Sequence, residues 1–332
     1  MNSYPMKALV LFSGGLDSML AVNLLTQQGI DVIALHINIG FGVKEDHHEA
    51  LKRRANLAGA TLEVIDVRDE YLQKILFSPR YGYGKQFNPC IDCHGFMFSV
   101  AKSLMPHYGA SFIATGEVVG QRPMSQNKDA LQLVKKLAND VEEDLILRPL
   151  SAKVMKESKP EREGWVDRNR LLDINGRGRH RQLEMAQTLG WEDYPSPAGG
   201  CLLTDVAFTT RLRDFIAYDS FSKEDIDVLK NGRHFRLPHG AKLVVGRNEA
   251  ENNFLDALDN PKFHLLHVNE AMSAPSALLS RTANLEDETL ACQIVLSFTK
   301  ALPTQTYELC VNTKVVQSSP LQSKEESKKY LI

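Results

Sequence analysis

Five short apolar runs in the first 150 residues each give way to a polar stretch with helical spacing. Ala8 to Phe12 is apolar throughout and stops at Ser13-Gly14-Gly15. A helical pattern then starts at Asp17-Ser18, with Leu20, Leu24 and Leu25 on one side and Gly29 at its end. Asp31 to Asn38 is a second run, β-branched and nearly all apolar, closed by Gly40-Phe41-Gly42; a charged helix follows from about Lys44 to Gly59. Thr61–Val67, Ser111–Glu117 and Leu145–Leu150 complete the set, with an apolar helix from Phe96 to Leu104 between the third and fourth. Strands apolar on both faces, alternating with helices, predict an α/β domain with a doubly wound parallel sheet, in which ligands sit beyond the carboxyl ends of the strands.

Beyond about Val206 the pattern changes. Residues 232–252 alternate basic, aromatic and β-rich positions around glycine turns, and Ala291–Lys300 and Tyr307–Val316 read as strands. The prediction is therefore a first domain over 1–205, a smaller α+β domain over 206–318 and a polar tail, disordered or helical, over 319–332.

Length and composition narrow the picture little. A chain of 332 residues with 43% hydrophobic and 24% charged content is an ordinary globular protein of roughly two domains. A net charge of −2 argues against a nucleic-acid-coating protein but leaves local basic patches open. No run is long enough for a membrane span and the N-terminus lacks a signal-peptide pattern, so a cytoplasmic address is expected. Five cysteines in such a chain read as reactive or metal-binding thiols rather than a disulfide framework.

The turn at residues 13–18 carries the first chemistry. A buried strand delivering glycines onto a helix N-terminus makes an anion site from unpaired N–H groups and the helix dipole. Gly14 and Gly15 let a phosphate approach, Ser13 and Ser18 add hydroxyl donors, and Asp17 has the chemistry to hold Mg2+. No Gly-Lys-Ser/Thr follows, so the loop is not a Walker A. Ser13-Gly-Gly-Leu-Asp-Ser18 resembles the SGGxDS signature of PP-loop ATP pyrophosphatases (adenine nucleotide alpha hydrolase-like). The resemblance implies ATP cleavage between the α- and β-phosphates and transfer of AMP to a substrate oxygen. It also implies that His36 and its strand end meet the nucleotide through backbone. A plain strand–turn–helix connection without ligand is the other reading.

Three thiols carry the second chemistry. Cys90-x-x-Cys93 ends a Gly/Pro-marked loop and enters a helix, a setting that lowers thiol pKa values and suits nucleophiles or metal ligands. Cys201 follows Tyr194-Pro-Ser-Pro-Ala-Gly-Gly. Cys292 and Cys310 lie in strand-like patterns and read as packed. Asn88-Pro-Cys-x-x-Cys93 resembles the equivalent segment of bacterial tRNA 2-thiouridylases, in which the second cysteine is catalytic; a second active cysteine there often follows glycines, as Cys201 does. His94 stands where those enzymes usually have Asn, and Glu117 replaces the His of their Ala-Thr-Gly-His. The same resemblance places Gly116 near the α-phosphate and ribose. Arg122 has the chemistry to pair with pyrophosphate oxygens, and Ser125 and Gln126 to position substrate. Arg148-Pro-Leu followed by Lys153 is similar to segments of 4-thiouridine synthetases, with Lys153 as a phosphate neutraliser.

Two basic stretches suggest RNA. Arg177, Arg179 and Arg181 crowd a glycine-rich loop, a candidate tRNA-backbone contact with plain surface charge as the alternative. Residues 232–252 resemble the RNA-binding segment of NFACT-type proteins, with Arg233, Arg236, Lys242 and Arg247 as phosphate contacts and Phe235 as a stacking surface.

Together these features point to an ATP-dependent tRNA sulfurtransferase, using ATP and Mg2+, that adenylates a base carbonyl oxygen and replaces it with sulfur. Two arrangements stay open: a persulfide on Cys93 resolved by Cys201, or Cys90, Cys93 and Cys201 holding three irons of a [4Fe–4S] cluster, with the cluster slightly preferred on the cysteine count. Partners would be tRNA and a sulfur donor (a cysteine desulfurase, a sulfur carrier or free sulfide), and the protein a monomer or homodimer. The alternatives are an RNA-binding module whose loop senses nucleotide, and an amide-forming PP-loop synthetase.

Overall fold

The computed structural model describes residues 6–42, 48–196, 200–269 and 272–332, which divide into two compact units, Met1–Thr204 and Asp205–Ile332.

The first unit is built on a parallel sheet of β1 (Lys7–Leu11), β2 (Asp31–Asn38), β3 (Thr61–Asp66), β4 (Phe112–Thr115) and β5 (Ile146–Leu147), in the order β3-β2-β1-β4-β5. The helices are α1 (Leu16–Thr26), α2 (His48–Ala58), α3 (Arg68–Tyr71), α4 (Cys90–Tyr108), α5 (Lys128–Leu137), α6 (Lys159–Arg162) and α7 (His180–Thr188). Ala8, Leu9 and Val10 are fully buried, which is why β1 reads as an unbroken apolar run. The expected doubly wound sheet is therefore present. The start of the charged helix expected from Lys44 lies outside the described residues.

Strand order reverses at β1, which has β2 on one side and β4 on the other. Leu11 pairs with Leu35 of β2 and with Thr115 of β4. The carboxyl ends of the three central strands are thus level. The turn at 12–15, His36 and Gly116 meet at one edge, the switch point where such sheets bind ligands.

The second unit holds a six-stranded antiparallel sheet, ordered β11-β10-β8-β9-β7-β6. Its strands are β6 (Arg233–Arg236), β7 (Lys242–Val245), β8 (Phe263–Val268), β9 (Ala277–Ser280), β10 (Tyr307–Val311) and β11 (Lys314–Ser318). Its helices are α8 (Val206–Tyr218), α9 (Lys223–Lys230), α10 (Glu249–Ala257) and α11 (Leu285–Leu296). Three expectations change here. Ala291–Lys300 is not a strand: most of it is the end of α11, whose Ala291, Ile294 and Val295 recur at helical spacing and are fully buried. Its start is marked by Asn284, which caps Asp287 N–H. Tyr307–Val316 is a hairpin, β10–β11, turned at Asn312 with φ of 55°. Residues 319–332, expected as a disordered or helical tail, include a 3₁₀ helix over Lys324–Tyr330 and are packed rather than free. Leu321 and Tyr330 pack on the core, and Ile332 N–H donates to His234 O at 2.9 Å, so the C-terminus covers the β6 edge. Among the described residues no helix is long and apolar enough to cross a membrane.

Candidate nucleotide and thiol site

Gly14 has φ of +74°, and a Cβ there would meet Leu51 Cδ2 at 2.6 Å, so the turn from β1 into α1 admits only glycine without strain. Ser18 Oγ donates to Gly15 O at 2.7 Å, and Gly15 N–H donates to Ser13 Oγ at 3.3 Å. His36 Nδ1 lies 2.9 Å from Phe12 O, so the ring braces the loop backbone. Gly116 approaches main chain closely: a Cβ there would lie 2.5 Å from Asp17 C, Asp17 O and Ser18 N. The end of β4 is pressed directly against the first turn of α1.

Asp17 is the least satisfied group of this loop. Gln121 Nε2 donates to its Oδ2 at 3.1 Å, and an Arg179 guanidinium nitrogen lies 3.6 Å from Oδ1. Oδ1 is nevertheless buried without a hydrogen-bond partner, as is Arg179 Nε. Buried polar atoms are rarely left so. An orphaned carboxylate oxygen beside a helix N-terminus fits an ATP site in which Asp17 would hold Mg2+. Arg179 arrives from the basic loop because residues 118–120 pair with 175–176: Gly176 N–H donates to Val119 O at 2.8 Å. The arginine expected at an RNA surface therefore faces the nucleotide loop. Arg177 is exposed, and Arg181 is exposed and paired with Asp173.

The three thiols come together through backbone. Leu202 N–H donates to Phe41 O at 2.9 Å and Phe87 N–H to Leu203 O at 3.1 Å, so the Cys201 segment lies between the end of β2 and the loop before α4. That loop is held by buried Asp92, which accepts from Arg80 and Tyr81 N–H at 2.9 and 3.0 Å. Residues 197–199 of the proline–glycine turn lie outside the described residues.

Burial raises all three thiols rather than lowering them as the helix N-terminus alone would suggest. Cys201 is pushed up to about 11 by burial, against backbone N–H groups of Leu203 and Thr204 and the charge of Arg122. Cys90 is raised by burial, with Asn88 and Arg122 pulling it back. Cys93 is raised furthest, by burial and then by Cys201. Tyr71, fully buried between Phe41 and Phe96, turns its hydroxyl toward Cys93 without meeting hydrogen-bond geometry. Arg122, expected on pyrophosphate, is exposed and acts on the charge of Cys90 and Cys201. Among the described residues no group of three or more His, Cys, Asp or Glu is arranged to hold a single metal ion.

His94 and Glu117, the two departures from the thiouridylase motifs, are partners. His94 Nδ1 lies 2.7 Å from Glu117 Oε1, and Arg148 Nε donates to Glu117 Oε2 at 3.0 Å. Glu117 and Arg148 are 4% and 5% exposed, so this is a buried ionic network. Burial alone would raise Glu117, but Arg148 and His94 outweigh it and hold its carboxyl below the usual range. Sequence reasoning noted each residue separately and missed the contact, because positions 94, 117 and 148 sit on α4 and beyond β4 and β5. Lys153 Nζ donates to Asn169 O at 2.8 Å from an exposed position.

In the second unit, two expected RNA contacts, Lys242 and Phe235, are corrected. Lys242 is 2% exposed, donates to Asp214 Oδ2 at 2.7 Å and is lowered to about 8 by burial. Its place on β7, with strands on both sides, puts it in the core. Arg236 also pairs with Asp214 and stacks 4.1 Å from the Tyr218 ring centroid; Arg247 pairs with Glu251. Arg233 lies 4.9 Å from the Phe298 ring centroid. Phe235, expected to stack on bases, is buried in the core.

Comparison with known proteins agrees with this division. Residues 7–81 match the family model of the argininosuccinate synthase N-terminal HUP domain, and residues 232–331 that of the NFACT protein RNA binding domain. The tRNA-specific 2-thiouridylase MnmA of Petrotoga mobilis is 31% identical over 147 residues, 39% of this chain and 40% of that protein. The same enzyme of Sulfurimonas denitrificans is 32% identical over 120 residues, 34% and 35% of the two chains. The alignments thus span two fifths or less of these relatives' length. A solved 4-thiouridine synthetase–RNA complex with bound ATP overlaps 68% of this chain and 52% of its own, at 17% identity and a TM-score of 0.40. The chain is thus similar to a HUP domain over residues 7–81, to the NFACT RNA-binding domain over residues 232–331, and to tRNA-specific 2-thiouridylases over two fifths of its length or less.

Proposed function

We propose that this chain is an ATP-dependent tRNA sulfurtransferase. The base carbonyl oxygen attacks the α-phosphorus of ATP at the loop of residues 13–18, the bond to the β-phosphate oxygen breaks, and pyrophosphate leaves. Asp17 would hold Mg2+, which supplies charge neutralisation on the phosphates. The terminal sulfur of a persulfide on Cys93 attacks the activated carbon, the C–O bond breaks and AMP leaves. Cys201 then attacks the inner sulfur, forming a protein disulfide and leaving the outer sulfur on the base. A thiol reductant reopens the disulfide, and a sulfur donor reloads the persulfide.

The observation that carries this reading is the backbone pairing that brings Cys201 to Cys90-x-x-Cys93 in the unit that bears the PP-loop. A nucleotide-sensing RNA-binding module needs no converging thiols, and an amide-forming synthetase needs no sulfur nucleophile. The iron assay below separates this persulfide route from a [4Fe–4S] cluster held by the same three thiols.

The test is pyrophosphate release dependent on tRNA, followed by nucleoside mass spectrometry. We expect both pyrophosphate and a thionucleoside from the wild type, and pyrophosphate without thionucleoside from Cys201→Ser. No tRNA-dependent pyrophosphate release would refute the reading. Iron bound stoichiometrically after anaerobic purification, with activity lost on its removal, would overturn the persulfide route.

A further inference from the structure

Two of the three thiols, Cys90 and Cys93, sit on one face of α4. At about 100° per residue, Cys90, Cys93 and His94 fall within about 100° of arc. His94 therefore belongs to the thiol face, and its Nδ1 reaches across to Glu117. Glu117 follows Gly116, the residue with no room for a Cβ against the backbone of Asp17 and Ser18. Arg148, just past β5, holds the other Glu117 oxygen and lies 5.9 Å from the centroid of Phe98, one turn further along α4 than His94. Three side chains thus tie the thiol helix to the strand end that touches the nucleotide loop.

We infer that His94, Glu117 and Arg148 form a strut that sets the thiol face of α4 against the nucleotide loop, and that sulfur transfer depends on it while adenylation does not. The inference rests on the sulfurtransferase reading. The three act as positioning residues. Glu117, held ionised between two donors, can only accept hydrogen bonds. His94 therefore contributes a donor at Nδ1, and another donor of similar reach replaces it. A buried charge network has one low-energy geometry, because moving any member leaves a charge unpaired in the interior. That makes it a stiffer spacer than apolar packing, and a sub-ångström to 1 Å error at a reacting centre costs up to about a hundredfold in rate.

The experiment compares His94→Leu, which removes the donor, with His94→Gln, which keeps one. Thionucleoside formed and pyrophosphate released are measured in the same reactions, together with the ratio of Cys90 to Cys201 alkylation by iodoacetamide with ATP bound. We expect His94→Leu to keep pyrophosphate release within about twofold while the thionucleoside-to-pyrophosphate ratio falls roughly tenfold or more. Its alkylation ratio should shift, and His94→Gln should restore both readouts. A wild-type ratio in His94→Leu, an equal fall of both reactions, or a His94→Gln as defective as His94→Leu would each overturn the strut. Should His94→Leu fail to fold, Glu117→Gln, which keeps shape and removes the charge, is read by the same criteria. Absence of pyrophosphate release in the wild type would sink the sulfurtransferase reading instead, and the alkylation arm, needing only ATP, still decides the strut.

Discussion

Gly116→Ala tests whether the nucleotide loop depends on the close approach of β4 to α1. The added Cβ would lie 2.5 Å from Asp17 C, Asp17 O and Ser18 N. Ordinary contact begins at 3.4 Å, so backbone must move by 3.4 − 2.5 = 0.9 Å. All three atoms are main chain, so no side chain can swing away; the movement falls on the first turn of α1, which presents the anion-binding N–H groups. Overpacking of this kind costs about 1–3 kcal/mol. For a unit of this size that lowers its melting temperature by roughly 2–4 °C per kcal/mol. The catalytic cost is of similar size: a displacement of about 1 Å at a positioning element lowers the rate by up to about a hundredfold, or about 2.7 kcal/mol. The assay is tRNA-dependent pyrophosphate release with an ATP titration, alongside thermal unfolding. Gly178→Ala is the control, since a Cβ there meets nothing within 4 Å. A Gly116→Ala enzyme with wild-type kcat, KM for ATP and melting temperature would refute the argument that this contact positions the loop.

Asp17→Asn removes the carboxylate whose Oδ1 has no partner, so we expect pyrophosphate release to fall about a hundredfold or more with the fold retained, checked by kinetics and circular dichroism. With Cys201 near pKa 11, its alkylation at pH 8 should be slow and should rise about tenfold per pH unit toward that value. Arg122→Ala should slow it further, because the guanidinium favours the thiolate. Since the folded thiol holds its proton more tightly than the unfolded one, stability of the first unit is full below about pH 8.5 and declines as pH rises toward 11. Lys242→Met should lower the stability of the second unit by about 1–3 kcal/mol, since it leaves partly buried Asp214 with Arg236 as its remaining ionic partner, and leave the salt dependence of tRNA binding unchanged. Arg177→Ala, at an exposed site, should reduce the slope of log Kd against log salt by about 1 with stability unchanged.

What the sequence by itself determined here is local. Ser13-Gly-Gly-Leu-Asp-Ser18 was legible because a buried strand, a left-handed glycine and a helix start follow one another between Lys7 and Leu16, and their chemistry needs no distant partner. The centre of the parallel sheet was legible for the same reason: β1 and β4, buried on both faces, are apolar along most of their length. The second unit was read less well. The apolar stretch at 291–296 fits a buried helix or a buried strand equally, and the decision lay in the Asn284 cap upstream.

Only the tertiary structure decided what the charged and nucleophilic residues face. Lys242 and Arg233 look alike in a basic, aromatic segment, yet the pleat and strand order bury one and leave the other partly exposed. The thiols were countable from sequence, but their protonation depends on burial, which a Cys-x-x-Cys spacing does not state. Arg179 belongs to the nucleotide loop because residues 118–120 pair with 175–176, more than fifty positions away. His94 and Glu117 read as two separate departures until the fold made them one contact. Backbone conformation is set by near neighbours, whereas the electrostatics of a buried group are set by whatever the fold packs against it.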